Sequence, residues 1–296
     1  MMTTMSHVSS PNEPYPSADQ LEQATTSRTQ GNFVIASRKL PILKSGPIDA
    51  MSARLGIPVP EMIFGDNLLS VTHKPSGWSI RFAAEDALDL VDKTGEKMLR
   101  VAYAGEWSSS REKTSAGISE VVRPYDWSYT TPYRGTEMPA GSGSGSKALA
   151  LAPSEEHPIP LDLLRRRDPI LFHDEVVLYE SELDDNGISV FTAKVRVMEH
   201  RMLLLSRMFM RLDNVLVRVR DTRVYVDFAT DLVIREYTAK EDSFANVKRN
   251  LYMSGESPDD ITSAMRDANK LAHLLPVVEH VLENVSLAVV AAAAPS

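Results

Sequence analysis

Between Lys194 and Arg223 stand eight basic side chains (Lys194, Arg196, Arg201, Arg207, Arg211, Arg218, Arg220 and Arg223) and only three acids (Glu199, Asp213 and Asp221). The chain as a whole has the opposite balance, with 32 Lys and Arg against 40 Asp and Glu and a net charge of -8. A guanidinium presents a planar fork of donors that meets a carboxylate at two points, so this window suits an acidic or carboxylate-ended peptide. The same pattern also describes an outward sheet face stitched by cross-strand pairs. Composition leaves both readings open.

Other reactive groups are sparse. His173-Asp174-Glu175 is the one crowded acid–base trio, and on a strand its members point to alternate faces and cannot easily converge. Glu61, Asp66 and Asn67 offer oxygens to a metal, but their spacing fits no calcium-loop pattern. A metal-dependent hydrolase would have to draw on His173, Asp174, Glu61 and Asp66, with no nucleophile signature beside them. The chain has no cysteine, which removes disulfides, thiol nucleophiles and Cys-ligated zinc together. The Gly-Ser repeat at 141–146 lacks the lysine and the strand–helix setting of a phosphate-cradling loop and reads as flexible linker. Net negative charge argues against a general nucleic-acid or membrane-surface binder. No apolar run of about 18 residues predicts a membrane span, and the amino terminus shows no secretory signal pattern.

The elements that must position these groups lie in the stretch Ile170 to Phe228. Phe191, Ala193, Val195 and Val197 alternate with Thr192, Lys194 and Arg196, the period of a strand with one buried and one wetter side. Asn186-Gly187 predicts a hairpin, because both central residues of such a turn adopt positive φ. Val176–Tyr179 is then the preceding strand. Leu203–Arg211 and Val215–Asp221 follow, joined at Asp213-Asn214, and Thr222–Phe228 continues after a break. The expectation is an antiparallel meander of four or five strands.

Around it, Met1 to about Gln30 is too polar to offset its ordering entropy and is expected to be a disordered tail. A strand is expected within Asn32–Leu43, a helix from Ser45-Gly46-Pro47 to Gly56, a hairpin from Leu68–His73 and Trp78–Phe82, and a short helix over Ala84–Val91. Val121–Tyr133 is aromatic-rich and reads as extended, with Pro124 marking an edge or a break. Ile159–Arg167 suggests a short helix, and Leu232–Tyr237 a last strand. Ser257-Pro258-Asp259-Asp260 starts a helix that runs to about Leu275, where Pro276 breaks it, and Val277–Leu287 is amphipathic. The fold class is therefore α+β: a curved antiparallel meander flanked by helices. It forms a single domain over 31–290, after a tail at 1–30, with a flexible loop at about 136–150 and a frayed end at 291–296.

Several motifs in order resemble the TOR-signalling-pathway-regulator-like family (the TIPRL type). They are PEMIFGDN at 60–67, FAAEDAL at 82–88, PYDWSYTTPYRGT at 124–136, ELDDNGIS at 182–189, VRVM at 195–198, RMFMRLDNVL at 207–216 and RDTRVY at 220–225. The resemblance spans Phe33 to Tyr237. It implies a non-enzymatic regulator without cofactor that binds catalytic subunits of the type 2A protein phosphatase group, including types 4 and 6. An alpha-four-type phosphatase-associated protein is a second implied partner, in nutrient-dependent TOR signalling. The concave side of the sheet would receive the phosphatase's carboxyl-terminal tail. The implied place of action is the cytoplasm, with the nucleus as a second compartment. No nucleic-acid or membrane partner is implied.

By this resemblance Asp86, Asp221, Val219 and Ile159 match positions used for phosphatase binding, and Arg218, Arg220 and Arg223 join them as the basic side of the groove. Without it, Asp86 would complement the dipole of its own helix, Asp221 would sit in a turn or pair with Arg223, and Val219 and Ile159 would be core. As a binding residue, Asp221 changed to Asn should weaken binding without unfolding the protein. Three departures stand out: Ala83 where the family usually has Asn, Met208 and Met210 where its core is Phe-rich, and a long front and Gly-Ser loop. A scaffold for another acidic or phosphorylated peptide is the alternative function.

Overall fold

The computed structural model describes residues 16–94, 101–102, 120–121, 125–140, 149–183 and 186–288. The chain opens with helix α1 (Ala18–Gln23), strands β1 (Thr25–Gln30) and β2 (Phe33–Arg38), and helix α2 (Ser45–Leu55). It continues through β3 (Met62–Ile63), β4 (Leu68–His73), β5 (Ser79–Ala83), α3 (Ala84–Leu88), β6 (Val101–Ala102), β7 (Glu120–Val121), β8 (Thr136–Met138) and β9 (Ala152–Pro153). Helix α4 (Leu161–Leu164) precedes the long meander β10 (Phe172–Ser181), β11 (Gly187–Val197), β12 (Arg201–Leu212), β13 (Leu216–Asp227) and β14 (Leu232–Ser243). Helices α5 (Phe244–Met253), α6 (Pro258–Ala264) and α7 (Ala268–Leu271) lead to β15 (Val277–Ser286).

These strands form two open antiparallel sheets, so the fold is α+β as expected. The smaller has the order β1-β2-β4-β5-β8 and the larger β3-β10-β11-β12-β13-β14-β15-β9. Phe191, Ala193, Val195 and Val197 are all fully buried, and they share one apolar core with Phe33, Ile35, Val71, Ile80 and Phe82 of the smaller sheet. The core thus lies between the sheets. Short helices cover parts of the larger sheet's other face, and no helix among the described residues is long and apolar enough to cross a membrane.

Local chemistry explains most boundaries. Gly56 ends α2 at φ 68°, the left-handed conformation that glycine adopts without a Cβ penalty. Ser257 caps α6 by accepting from the Asp260 N–H, with Pro258 in the first turn. The β10–β11 hairpin exists, and among the described residues of its connection positive φ falls on Leu183 (51°) rather than on Asn186 and Gly187. Gly187 instead lets two backbones approach, since a Cβ there would lie 2.0 Å from the Arg211 carbonyl oxygen.

Several expectations are corrected. Residues 18–30, expected within the disordered tail, form α1 and β1. Strand β1 buries no residue fully; it is held by its ladder to β2, and Ser17 and Gln20 close a capping box on α1, so apolar content could not reveal it. Residues 1–15 and 291–296, and the Gly-Ser repeat, lie outside the described residues. Within the expected loop 136–150, Thr136–Met138 pairs with β5, and Ala140 and Leu149 bridge. The expected break at Thr222 is absent, and β13 is continuous. The helix from Ser257 stops at Ala264, and Asp267 caps a separate turn. Val277–Ser286 is a strand paired with β14. Residues 125–135 carry no strand: Tyr125, Trp127, Tyr129 and Tyr133 are buried on irregular backbone.

Candidate functional site

The pleat of β13 separates the residues singled out from sequence. Successive side chains of a strand point to opposite faces. Arg218 and Arg220 lie on the core side, in register with Met210 and Met208. Val219, Asp221 and Arg223 lie on the outer side, in register with Phe209, Arg207 and Leu205. The seven proposed residues therefore do not form one surface.

On the outer side two structures stand over the sheet. Helices α5 to α7 rest on Phe209, Val217 and Val219, with Val247, Leu251, Ile261 and Leu271 packed above them. The segment around α4 rests on a second apolar cluster, in which Ile159 meets Tyr225 and Ile234, with Leu164, Leu203 and Leu282 against it. Ile159 and Val219 are buried, at 6% and 0% exposure, so each anchors a wall and neither is a free contact surface.

Between the walls run two rows of side chains. Ladder register places Glu175, Lys194, Leu205, Arg223, Glu236 and Leu282 side by side in one row. Thr192, Arg207, Asp221, Thr238 and His280 form the next. These rows are the floor of a trench across strands β10 to β15. A cleft of about 250 Å³ opens at its β11 end, against Arg266 to Asn269. A larger one of about 710 Å³ opens at its β15 end, lined by Pro153 to Glu155 and His280 to Leu282.

The floor is not a bare cationic strip. Asp221 is 2% exposed and takes Arg207 at two points, Nε at 2.6 Å and Nη2 at 2.7 Å, while Arg207 Nη1 donates to Asn269 Oδ1 at 2.8 Å. Its partner is thus Arg207, not Arg223. Arg223 pairs with Glu236 at 3.0 Å, and His280 Nε2 lies 3.2 Å from the other oxygen of Glu236. Of the eight basic residues in the window, Arg201 pairs with Asp168, Arg211 with Asp213, and Arg218 and Arg220 both with Glu241. Most of these acids lie outside the window or on a neighbouring strand, which is why the local excess overstated the free charge. Lys194 and Arg196 have no ion pair among the described residues.

Asp86 is remote from this trench. It sits in the first turn of α3, where Arg81 donates to it at 2.9 and 3.0 Å and Thr136 Oγ1 at 2.6 Å. Burial raises its pKa, but the hydrogen bonds from Arg81 and Thr136 outweigh burial and hold the carboxyl below its ordinary value. Thr136 Oγ1 also lies 3.0 Å from the Tyr133 hydroxyl, which donates to the Arg81 carbonyl. Asp86 therefore fixes the segment 133–136 against the smaller sheet.

The groups weighed for metal chemistry are dispersed. Asn67 accepts from the Leu40 N–H at 2.6 Å and donates to the Val177 carbonyl at 2.8 Å, tying the two sheets together. Glu61 accepts from the Glu182 N–H at 3.1 Å. Asp174 turns inward to Ser37 and Lys39, while His173 Nδ1 lies 3.0 Å from the Val195 carbonyl. Burial raises the Asp174 pKa, and Lys39 and Ser37 more than reverse it. Among the described residues no three His, Asp or Glu side chains gather as metal ligands.

Sequence reasoning missed Glu236 and His280, which join the trench through strand register alone, and Arg266 on its rim. It named Tyr237 only as a strand end, although this side chain proves to be an inward-facing group of the larger sheet. The alternation that assigned Phe191 to Val197 would, continued into β13, have split Arg218 and Arg220 from Val219, Asp221 and Arg223.

Comparison with known proteins adds a lineage to this geometry. The model of the TIP41-like family matches residues 62–248, from β3 into α5. The chain is 38% identical over 285 residues to the Type 2A phosphatase activator TIP41 of Saccharomyces cerevisiae, covering 91% of this chain and 77% of that protein. It is 37% identical over 254 residues to the TIP41-like protein of Homo sapiens, covering 86% of each. It is 32% identical over 248 residues to the Type 2A phosphatase activator tip41 of Schizosaccharomyces pombe, covering 84% of this chain and 93% of that one.

Proposed function

The chain belongs to the TIP41-like family, and from that premise we propose that it is a non-enzymatic regulator of type 2A-family protein phosphatases. It binds the catalytic subunit, of type 2A or its type 4 and type 6 relatives, and modulates its activity or assembly in nutrient-dependent TOR signalling. An alpha-four-type protein is the second partner in this reading. The catalytic subunit's extended carboxyl-terminal tail lies in the outer trench, with the half-exposed Arg223 and the unpaired Lys194 meeting its carboxylates.

One convergence carries the proposal. Ile159, beneath one wall, is brought from a distant part of the chain to the same trench that Val219, beneath the other wall, and Asp221, in the floor, border from β13. An extended peptide laid across strands β11 to β15 would meet charged side chains in the floor, with the apolar clusters supporting the wall on either side. Lines of support from the relatives agree: two of them are named activators of type 2A phosphatase.

The test is co-precipitation of purified catalytic subunit, full length and lacking its last residues. Retention of the full-length subunit and loss of the truncated one is the expected result. Equal retention would overturn the tail reading, and retention of neither form would favour a scaffold for another acidic or phosphorylated peptide.

A further inference from the structure

On the core side of the larger sheet, toward β14 and β15, arginines outnumber the carboxylates that hold them. Glu241 serves both Arg218, at 2.6 Å, and Arg220, at 3.4 Å. Glu283 serves both Arg235, at 2.7 Å, and Arg134, at 3.8 Å. In each pair one arginine is held closely and the other loosely. Arg218 has further partners, Thr130 Oγ1 at 2.8 Å and Asp126 at 3.9 Å. Arg220 adds only a long contact to the Lys240 carbonyl at 3.5 Å. Burial, and then the neighbouring Arg218, push the Arg220 pKa down. Its guanidinium shares its one carboxylate among the described residues with Arg218.

Tyr237 belongs to the same corner. Its side chain is 1% exposed, and the Arg134 guanidinium lies 5.7 Å from its ring centre. Its hydroxyl is buried and has no hydrogen-bond partner among the described residues. A buried donor without a partner is rare, because leaving it unmade costs the full desolvation of the group. Burial raises the phenol's pKa, with Arg220 acting the other way, so the hydroxyl remains a proton donor. Glu279 on β15 is the exposed acid of this neighbourhood. Two loosely held guanidinium groups and one orphaned hydroxyl thus come together on one side of the sheet.

We propose that Arg134, Arg220 and Tyr237 form a binding site for a phosphate group, carried as the free ion or on a phosphorylated side chain. Guanidinium forks match phosphate oxygens at two points, and the oxygens of a phosphate give each of the three donors its own acceptor. The site lies on the opposite face of the sheet from the trench and does not depend on the phosphatase reading. Asp86 is its positioning residue, since Asp86, Thr136 and Tyr133 anchor the segment that carries Arg134.

Calorimetric titration tests this with three probes: inorganic phosphate, a phosphoserine peptide and the same peptide unphosphorylated. Phosphate is expected to bind saturably to the full chain, and the unphosphorylated peptide not at all. Tighter binding of the phosphopeptide than of phosphate identifies an attached group as the natural source; equal or weaker binding identifies the free ion. Tyr237→Phe should weaken phosphate about fivefold while raising thermal stability, because the buried hydroxyl it removes has no partner to lose and its desolvation cost goes with it. Arg220→Gln should weaken it about thirtyfold, and Lys248→Gln, on the exposed side of α5, should leave it unchanged. Absence of saturable binding by either phosphate probe, equal affinity in Tyr237→Phe and the parent, or an equal loss in Lys248→Gln would overturn the site.

Discussion

Asp221 and Arg207 face each other across the β12–β13 ladder and close a two-point ion pair, with contacts of 2.6 and 2.7 Å, beneath the rim of the outer trench. With 2% and 12% side-chain exposure, neither group can fall back on water. This geometry adds a stability cost to the loss of binding expected of Asp221→Asn. Removing one charge strands the other, so the variant should lose about 3 kcal/mol of stability, read as a lower urea midpoint at unchanged m-value. Replacing both residues together, Asp221→Leu with Arg207→Met, should recover most of that loss. A stable single variant would show that the pair is not the constraint its geometry implies.

Helix α3 begins on Ala83, whose backbone has the extended cap conformation (φ -142°, ψ 153°) but whose side chain supplies no acceptor. Asn at a helix start accepts a free N–H of the first turn, and the family resemblance points to Asn at this position. Ala83→Asn should therefore raise stability by about 1 kcal/mol, measured as a higher urea midpoint. No gain would mean that the N–H groups of this first turn already find partners.

The same helix gives a pH dependence. Hydrogen bonds from Arg81 and Thr136 hold Asp86 below its ordinary pKa despite burial. For a carboxyl whose folded pKa is depressed, the stabilisation is fully present above the unfolded value of about 3.9 and is lost as pH falls through the folded value. Asp174 has the same sign through Lys39 and Ser37. Stability of the parent should thus fall with acid below about pH 4, and Asp86→Asn should flatten that fall. Parallel acid profiles for parent and variant would remove Asp86 from the balance.

How far these features were legible in sequence depends on what makes them. Strand β11 was readable because one face is buried and the alternation is strong, whereas β13, buried on both faces, was read with a break at Thr222 that does not exist. Strand β1 was not readable, since Thr25 to Gln30 is held by ladder hydrogen bonds that composition does not record. The segment 125–135 looked extended because it is aromatic. Its backbone is irregular instead, with Ser128 receiving from the Thr130 N–H and Thr131 from the Tyr133 N–H, so no period marks it. The trench was half legible. The basic residues were visible, but the acids that pair with them, Glu236 and Glu241, lie one strand away and become neighbours only through register.

Arg223 is where binding and stability should separate. Its pair with Glu236 spans 3.0 Å, with side chains 35% and 22% exposed, and ion pairs this open to water contribute little. Arg223→Gln should change stability by less than about 1 kcal/mol. As the half-exposed guanidinium of the trench floor, it should nonetheless weaken a phosphatase tail peptide about tenfold, the loss of one charge-assisted contact. Fluorescence anisotropy of a labelled peptide, with thermal melting in parallel, separates the two effects. Unchanged affinity would move the peptide out of the trench. A melting temperature that falls in step with affinity would make Arg223 a structural strut rather than a contact.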